Sequence, residues 1–224
     1  MKKIHIALCA ILGLSSLSAV AEDKNLVAAG FGYIAVNSSS PDFASNGPAF
    51  LTPQPAGLTV GSASTLLFGF SHMVSDHWAV ALAGGIPPKH DIFGRGNLAP
   101  FGVITTVKQF APTVFANYHF NESGSKFRPF VGLGINYTKF YDITSQPAGN
   151  LASGGPTSVT LSSYTGLAAT IGMNYKIADH WYINANIAAA DVSTDMVATT
   201  GSIQRTTHVK LNPILYSAGI AYSF

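Results

Sequence analysis

Residues 214–224 constrain this chain more than any other stretch. Ile214, Tyr216, Ala218, Ile220, Tyr222 and Phe224 share one face of an alternating segment, and Ser217, Gly219, Ala221 and Ser223 share the other. Side chains on a strand point alternately to its two faces, so one face here is apolar and aromatic-tipped and the other small or polar. That contrast suits a wall between lipid and water. A soluble sandwich can use the same alternation, but rarely closes its chain on an unprotected aromatic.

The N-terminus is consistent with export. Met1-Lys2-Lys3 is basic, Ile4 to Leu17 is mostly apolar, and Ala19-Val20-Ala21 is a small-x-small cleavage site. The pattern predicts a signal peptide over 1–21, cut after Ala21, and one domain over 22–224. The apolar stretch is too short and wrongly flanked for a spanning helix. Cys9 is the sole cysteine and lies inside the signal peptide, behind Leu8 rather than the small residue a lipid anchor wants. The mature chain is then expected to lack disulfides and thiolate sites.

Charge narrows the class further. Without Lys2 and Lys3 the twelve Lys and Arg fall to ten, equal to the ten Asp and Glu. No basic patch calls for nucleic acid. Charged residues are 10% of the chain, against about 25% in an ordinary soluble domain. Yet no mature stretch reaches the roughly 18 apolar residues of a membrane helix. In hydrocarbon every backbone polar group must be paired, so only helices and closed barrels cross.

Eight segments alternate with period two. Their apolar faces run through Val27 to Ala35, Leu66 to Phe70, Trp78 to Leu82, Val114 to Phe120, Val131 to Tyr137, Leu167 to Tyr175, Trp181 to Ile187, and the C-terminal strand. The opposite faces carry Gly, Thr, Asn and His. This pattern predicts an all-β, eight-stranded, antiparallel, up-and-down transmembrane barrel. Three connections are short: Ser75-Asp76-His77, Asn121 to Lys126, and Ala178-Asp179-His180. Four are long: 37–62, 85–107, 143–159 and 192–207. Short turns belong to the periplasmic side and long loops to the extracellular side.

Asp-His-Trp occurs twice, at Asp76-His77-Trp78 and Asp179-His180-Trp181. The pairs could do acid–base work, but no nucleophile lies near them in sequence. We read the Asp as a turn former and Trp78 and Trp181 as interfacial anchors. Arg128 and Lys139 are expected to mark the inner and outer interfaces, Lys139 near lipopolysaccharide phosphates. Their separation suits the roughly 9–11 residues a tilted strand needs.

Ser125-Lys126-Phe127-Arg128-Pro129-Phe130-Val131-Gly132-Leu133-Gly134-Ile135-Asn136-Tyr137 and the five residues beyond resemble the fifth-strand signature of the OmpW family of small outer-membrane barrels. Ala111-Pro112-Thr113 with Tyr118-His119-Phe120, Pro87-Pro88-Lys89-His90-Asp91-Ile92, and Lys210-Leu211-Asn212-Pro213 with the strand to Phe224 resemble its other motifs. Tyr222 and Phe224 resemble the assembly signal of outer-membrane barrels, read by the barrel-assembly machinery. The resemblance implies a narrow, partly hydrophobic interior and passage of small hydrophobic molecules across the bacterial outer membrane. It also implies that some members serve as receptors for bacteriocins or phages.

Eight strands enclose an interior that side chains can fill, so a wide aqueous pore is excluded. Inward parity falls on Gly132, Gly134, Ala168, Gly172, Ala188, Ala190, Ser217 and Gly219, which leaves room. Phe115, Asn117, Asn136, Phe140, Ala188 and Leu215 are the expected lining of a solute path. Some family members carry a bulky aromatic where Ala188 stands. The alternatives are a plugged, rigid barrel and a surface receptor or adhesin acting through its loops. A barrel hydrolase is a third class; His90 with Asp191 is a conceivable pair, though no spacing singles it out. Asp91, Asp142, Asp191 and Asp195 match no calcium-loop pattern. We expect no enzyme, cofactor or metal.

Overall fold

The computed structural model describes residues 23–224; the expected signal peptide lies outside them. Its strands are β1 (Asn25–Val36), β2 (Ala44–Ser45), β3 (Ala56–Val60), β4 (Ala63–Met73), β5 (Trp78–Gly85), β6 (Lys89–Gly96), β7 (Val103–Phe110) and β8 (Thr113–His119). They continue with β9 (Phe127–Ser145), β10 (Thr157–Leu161), β11 (Tyr164–Lys176), β12 (Trp181–Ala190), β13 (Ser193–Thr200), β14 (Ile203–Lys210) and β15 (Pro213–Ser223). One short helix, α1 (Pro147–Ser153), separates β9 from β10.

Strands β1, β4, β5, β8, β9, β11, β12 and β15 form a closed antiparallel barrel of eight. Each pairs with the next, and β15 returns to pair with β1 from Leu26↔Ser223 to Val36↔Pro213. Asn25 and Phe224 exchange backbone hydrogen bonds of 3.1 and 3.0 Å, so the final aromatic is held in the ladder. Closure pairs the backbone groups that an open sheet edge would expose to lipid.

The period-two pattern becomes two surfaces. Phe31, Leu133 and Leu167 are about three-quarters exposed, at 75%, 74% and 75%. They form the lipid face. At the short-turn end Trp78 stands edge-on to Tyr118 at 5.2 Å, and Trp181 edge-on to Tyr222 at 5.0 Å. Each is a cross-strand pair, Trp78↔Tyr118 and Trp181↔Tyr222. Such paired rings suit the headgroup level.

The four long connections, expected only as loops, build a strand-rich cap. Strand β9 runs 19 residues without a break. It leaves β8 after Asn136 and takes β7 as its neighbour from Lys139 upward. Strands β7, β6 and β3 extend this wall, and β10, β13, β14 and β2 form a second sheet. Leu58, Ile92, Val107 and Phe140 from one sheet pack with Met196, Ala198 and Val209 from the other. The dry core of this protein therefore sits in its cap, and the barrel below is filled more sparsely.

Candidate functional site: the lumen and a break in its wall

A cavity of about 240 Å³ occupies the barrel. Phe115, Asn117, Asn136, Ala188 and Leu215 line it, as their inward parity places them. Phe140 does not. It is buried one level higher in the cap core, where it helps roof the barrel. The correction is one of height: Phe140 points inward, but β9 has already risen past the membrane wall at that residue.

The inward glycines give less room than their size suggests. A methyl group added at Gly134 would stand 2.6 Å from Cδ1 of Phe115, and one at Gly172 would stand 2.5 Å from Cζ of Phe130. One at Gly132 would meet the Asn117 amide oxygen. Each hollow is already taken by a side chain from a facing strand. The cavity is lined beside them by Ala168, Thr170, Ala188, Ala190 and Ser217.

Buried side chains, two of them polar, stand at the lower end of the lumen. Phe130, His119 and Arg128 are 6%, 4% and 9% exposed. The His119 and Phe130 rings lie 5.1 Å apart. Arg128, expected as an anchor marking the inner interface, turns its side chain into the lumen. There it donates from Nη2 to the carbonyl of Asp76 in the turn between β4 and β5. Alternation dictates this, because Arg128 shares the face of Phe130 and Asn136. Lys139, on the opposite face, is exposed beside Phe110 of β7. His77 Nδ1 lies 2.9 Å from the His119 carbonyl, and His180 Nδ1 lies 2.7 Å from Asp23 Oδ2.

The wall itself is incomplete at one place. The β5–β8 ladder stops at Ala83↔Thr113. The next backbone link between these segments runs from Gln109 N to the Pro88 carbonyl, 3.1 Å. Between these points no backbone hydrogen bond joins 84–87 to 110–112 among the described residues. Pro87, Pro88 and Pro112 have no N–H to offer. Pro88 and Ala111, which border the lumen, flank this gap, and Ile86 beside it is 53% exposed. Asn136 frames the break. Its Nδ2 donates to Thr113 Oγ1 at 2.8 Å and reaches the Ala111 and Pro112 carbonyls at 3.4 Å each. Thr138 donates to its Oδ1 at 2.7 Å. Sequence reading placed Asn136 in the lumen but missed this clamp; the cluster Pro87, Pro88, Pro112 was the available signal for a ladder break.

The acidic residues on the outer side are spoken for separately. Asp191 accepts from Tyr164 at 3.0 Å, Asp195 lies 2.7 Å from His208, and Asp142 pairs with Lys108 at 2.8 Å. His90 is held by the Gly61 carbonyl at 2.8 Å rather than by Asp191.

A closed eight-stranded barrel with a lipid-facing apolar belt, short turns at one end and a cap at the other defines a small outer-membrane protein. The chain belongs to the OmpW family, whose model matches residues 21–224. It is 30% identical over 227 residues to outer membrane protein W of Vibrio cholerae, covering 100% of both chains. It is also 30% identical over 164 residues to the dibenzothiophene metabolism operon protein PahQ of Pseudomonas aeruginosa, covering 72% of each. The crystal structure of the outer membrane protein OprG from Pseudomonas aeruginosa superposes with a TM-score of 0.82 at 27% identity, covering 90% of this chain and 96% of that one. The protein is an outer-membrane barrel, set among the lipids of that membrane, and these relatives are named as outer-membrane or operon proteins rather than as enzymes.

Proposed function

We propose that the barrel carries small hydrophobic molecules between the cell surface and the hydrocarbon of the outer membrane, through the wall break between β5 and β8. The observation that carries this reading is the wall break itself: the β5–β8 ladder stops at Ala83↔Thr113, and the lumen-lining residues Pro88, Ala111 and Asn136 border the gap. Buried His119 and Arg128, packed with Phe130, oppose onward travel to the periplasm. Apolar solutes are slowed by the lipopolysaccharide leaflet rather than by hydrocarbon, so a path that ends sideways in the membrane suffices. The relative named for a dibenzothiophene metabolism operon supports a polycyclic, water-poor solute. Ala188 and Leu215 flank the shaft, Phe115 and Asn117 its lower part, and Asn136 the side opening. On this reading Lys139 meets lipopolysaccharide phosphates, and Tyr222 and Phe224 form the signal read by the barrel-assembly machinery.

The test is uptake of a fluorescent apolar solute in cells with intact lipopolysaccharide. A deletion strain is compared with strains restored by the natural protein, by Ala188→Trp, and by Ala111→Trp at the side opening. The natural protein should speed uptake, and both tryptophans should return it to the deletion level. Equal uptake in all strains, with folded barrels at the surface, would sink the reading and leave the cap, as a receptor or adhesin, the working part.

A further inference from the structure

A second cavity, of about 270 Å³, opens in the cap. It shares no lining residue with the lumen cavity. Its volume is near the lower end of the roughly 300–1,000 Å³ typical of ligand pockets. Phe43, Leu98, Phe101, Ile104 and Met196 give it apolar walls. Phe50 and Leu151 stand at it 79% and 75% exposed. Unlike the exposed residues of the barrel, these two lie beyond the membrane strands, where water rather than lipid meets them. Large apolar side chains held open at a cavity in water mark a contact site.

One lining residue is charged. Arg205, on β14, is 6% exposed. Its Nε donates to Thr52 Oγ1 at 3.0 Å, its Nη1 to Thr200 Oγ1 at 3.3 Å, and its Nη2 to the Leu51 and Ser153 carbonyls at 3.1 and 3.5 Å. All four acceptors are neutral, and a guanidinium has five N–H groups. No carboxylate among the described residues forms an ion pair with it: Asp42 pairs with Arg95, Asp142 with Lys108, Asp195 with His208 and Asp23 with His180. Burial pushes its pKa down, yet a guanidinium stays charged. A buried, unneutralised cation is costly and favours an anion that can reach it.

We propose that this vestibule binds amphiphilic monoanions, with an aliphatic tail against the apolar walls and a carboxylate head on Arg205. The binding is distinct from passage through the barrel and is read without uptake.

The protein is placed in phosphatidylcholine nanodiscs and titrated calorimetrically with octanoate, 1-octanol and octylammonium, with empty discs subtracted. Octanoate should bind saturably and about tenfold or more tighter than octanol, the usual gain from a charge-assisted bond. Octylammonium should bind weakest. Arg205→Gln should remove the octanoate advantage and leave octanol unchanged. Ala198→Phe, which fills the vestibule, should abolish both, while Ala188→Trp in the lumen should leave octanoate binding intact. Octanoate no tighter than octanol on the natural protein overturns the proposal without any variant. So does octanoate binding that survives Arg205→Gln or disappears with Ala188→Trp. None of these outcomes bears on uptake of uncharged solutes, so the passage reading stands or falls separately.

Discussion

Two residues on one strand show what parity decides and what charge does not. Arg128 and Lys139 are eleven positions apart, an odd number, so one strand cannot present both to lipid. Lys139 faces out and Arg128 faces in, where it bonds the Asp76 carbonyl and floors the barrel. The spacing matched a membrane width and concealed the parity. Asn136 was legible as an inward polar residue, but its partners belong to a stretch where the ladder fails. That failure arises from three prolines brought together only by folding. Replacing Asn136 with alanine leaves the Ala111 and Pro112 carbonyls without their side-chain donor and removes the bonds to Thr113 and Thr138. We expect a loss of about 1–3 kcal/mol, read as a lower urea midpoint in lipid vesicles. Faster exchange at the Tyr137 amide, which donates to Pro112 O at 3.0 Å, should accompany it. An unchanged midpoint and exchange rate would show that the break needs no clamp.

At the scale of elements, the barrel strands were readable because each alternates for five residues or more with one face in lipid. The cap strands were not. Gly57, Gly94 and Gly96 interrupt β3 and β6, and Ser, Thr and charged residues outnumber apolar ones in β13 and β14. Their apolar residues face one another across two sheets, so no single segment shows a full amphipathic pattern. Two of the motifs that carried the family resemblance, Pro87-Pro88 and Ala111-Pro112, stand on opposite sides of the wall break. His90, just above it on β6, is 1% exposed. Burial lowers its pKa, with the Gly61 hydrogen bond and the Asp91 charge opposing. A depressed folded-state pKa means that the neutral ring stabilises the cap fully above the unfolded value, about 6.5. That contribution is lost as pH falls toward the folded value. Amide signals of β6 and β7 in nanodiscs should broaden at pH 4.5 relative to pH 7.5, and His90→Gln should remove the difference. Equal broadening in the variant would assign the acid sensitivity elsewhere.

At the scale of the whole molecule, the lipid face is the assignment on which everything else rests. Ile135 is 60% exposed and lies between Val114 of β8 and Leu167 of β11. An arginine there costs about 2–4 kcal/mol at the bilayer midplane. Ile135→Arg should yield no heat-modifiable folded band in membranes; a normal band would place Ile135 away from hydrocarbon. The ring also fixes how the protein can be made. Strand β1 has β4 on one side, but its other neighbour is β15, nearly two hundred residues downstream in the numbering. Shortening the chain by one hairpin therefore does not give a narrower cylinder. It strands two raw edges, on β1 and on the last remaining strand, each ready to pair with a stranger. Biogenesis of such a ring is a single irrevocable commitment, and a cell that proofreads it need inspect only one seam.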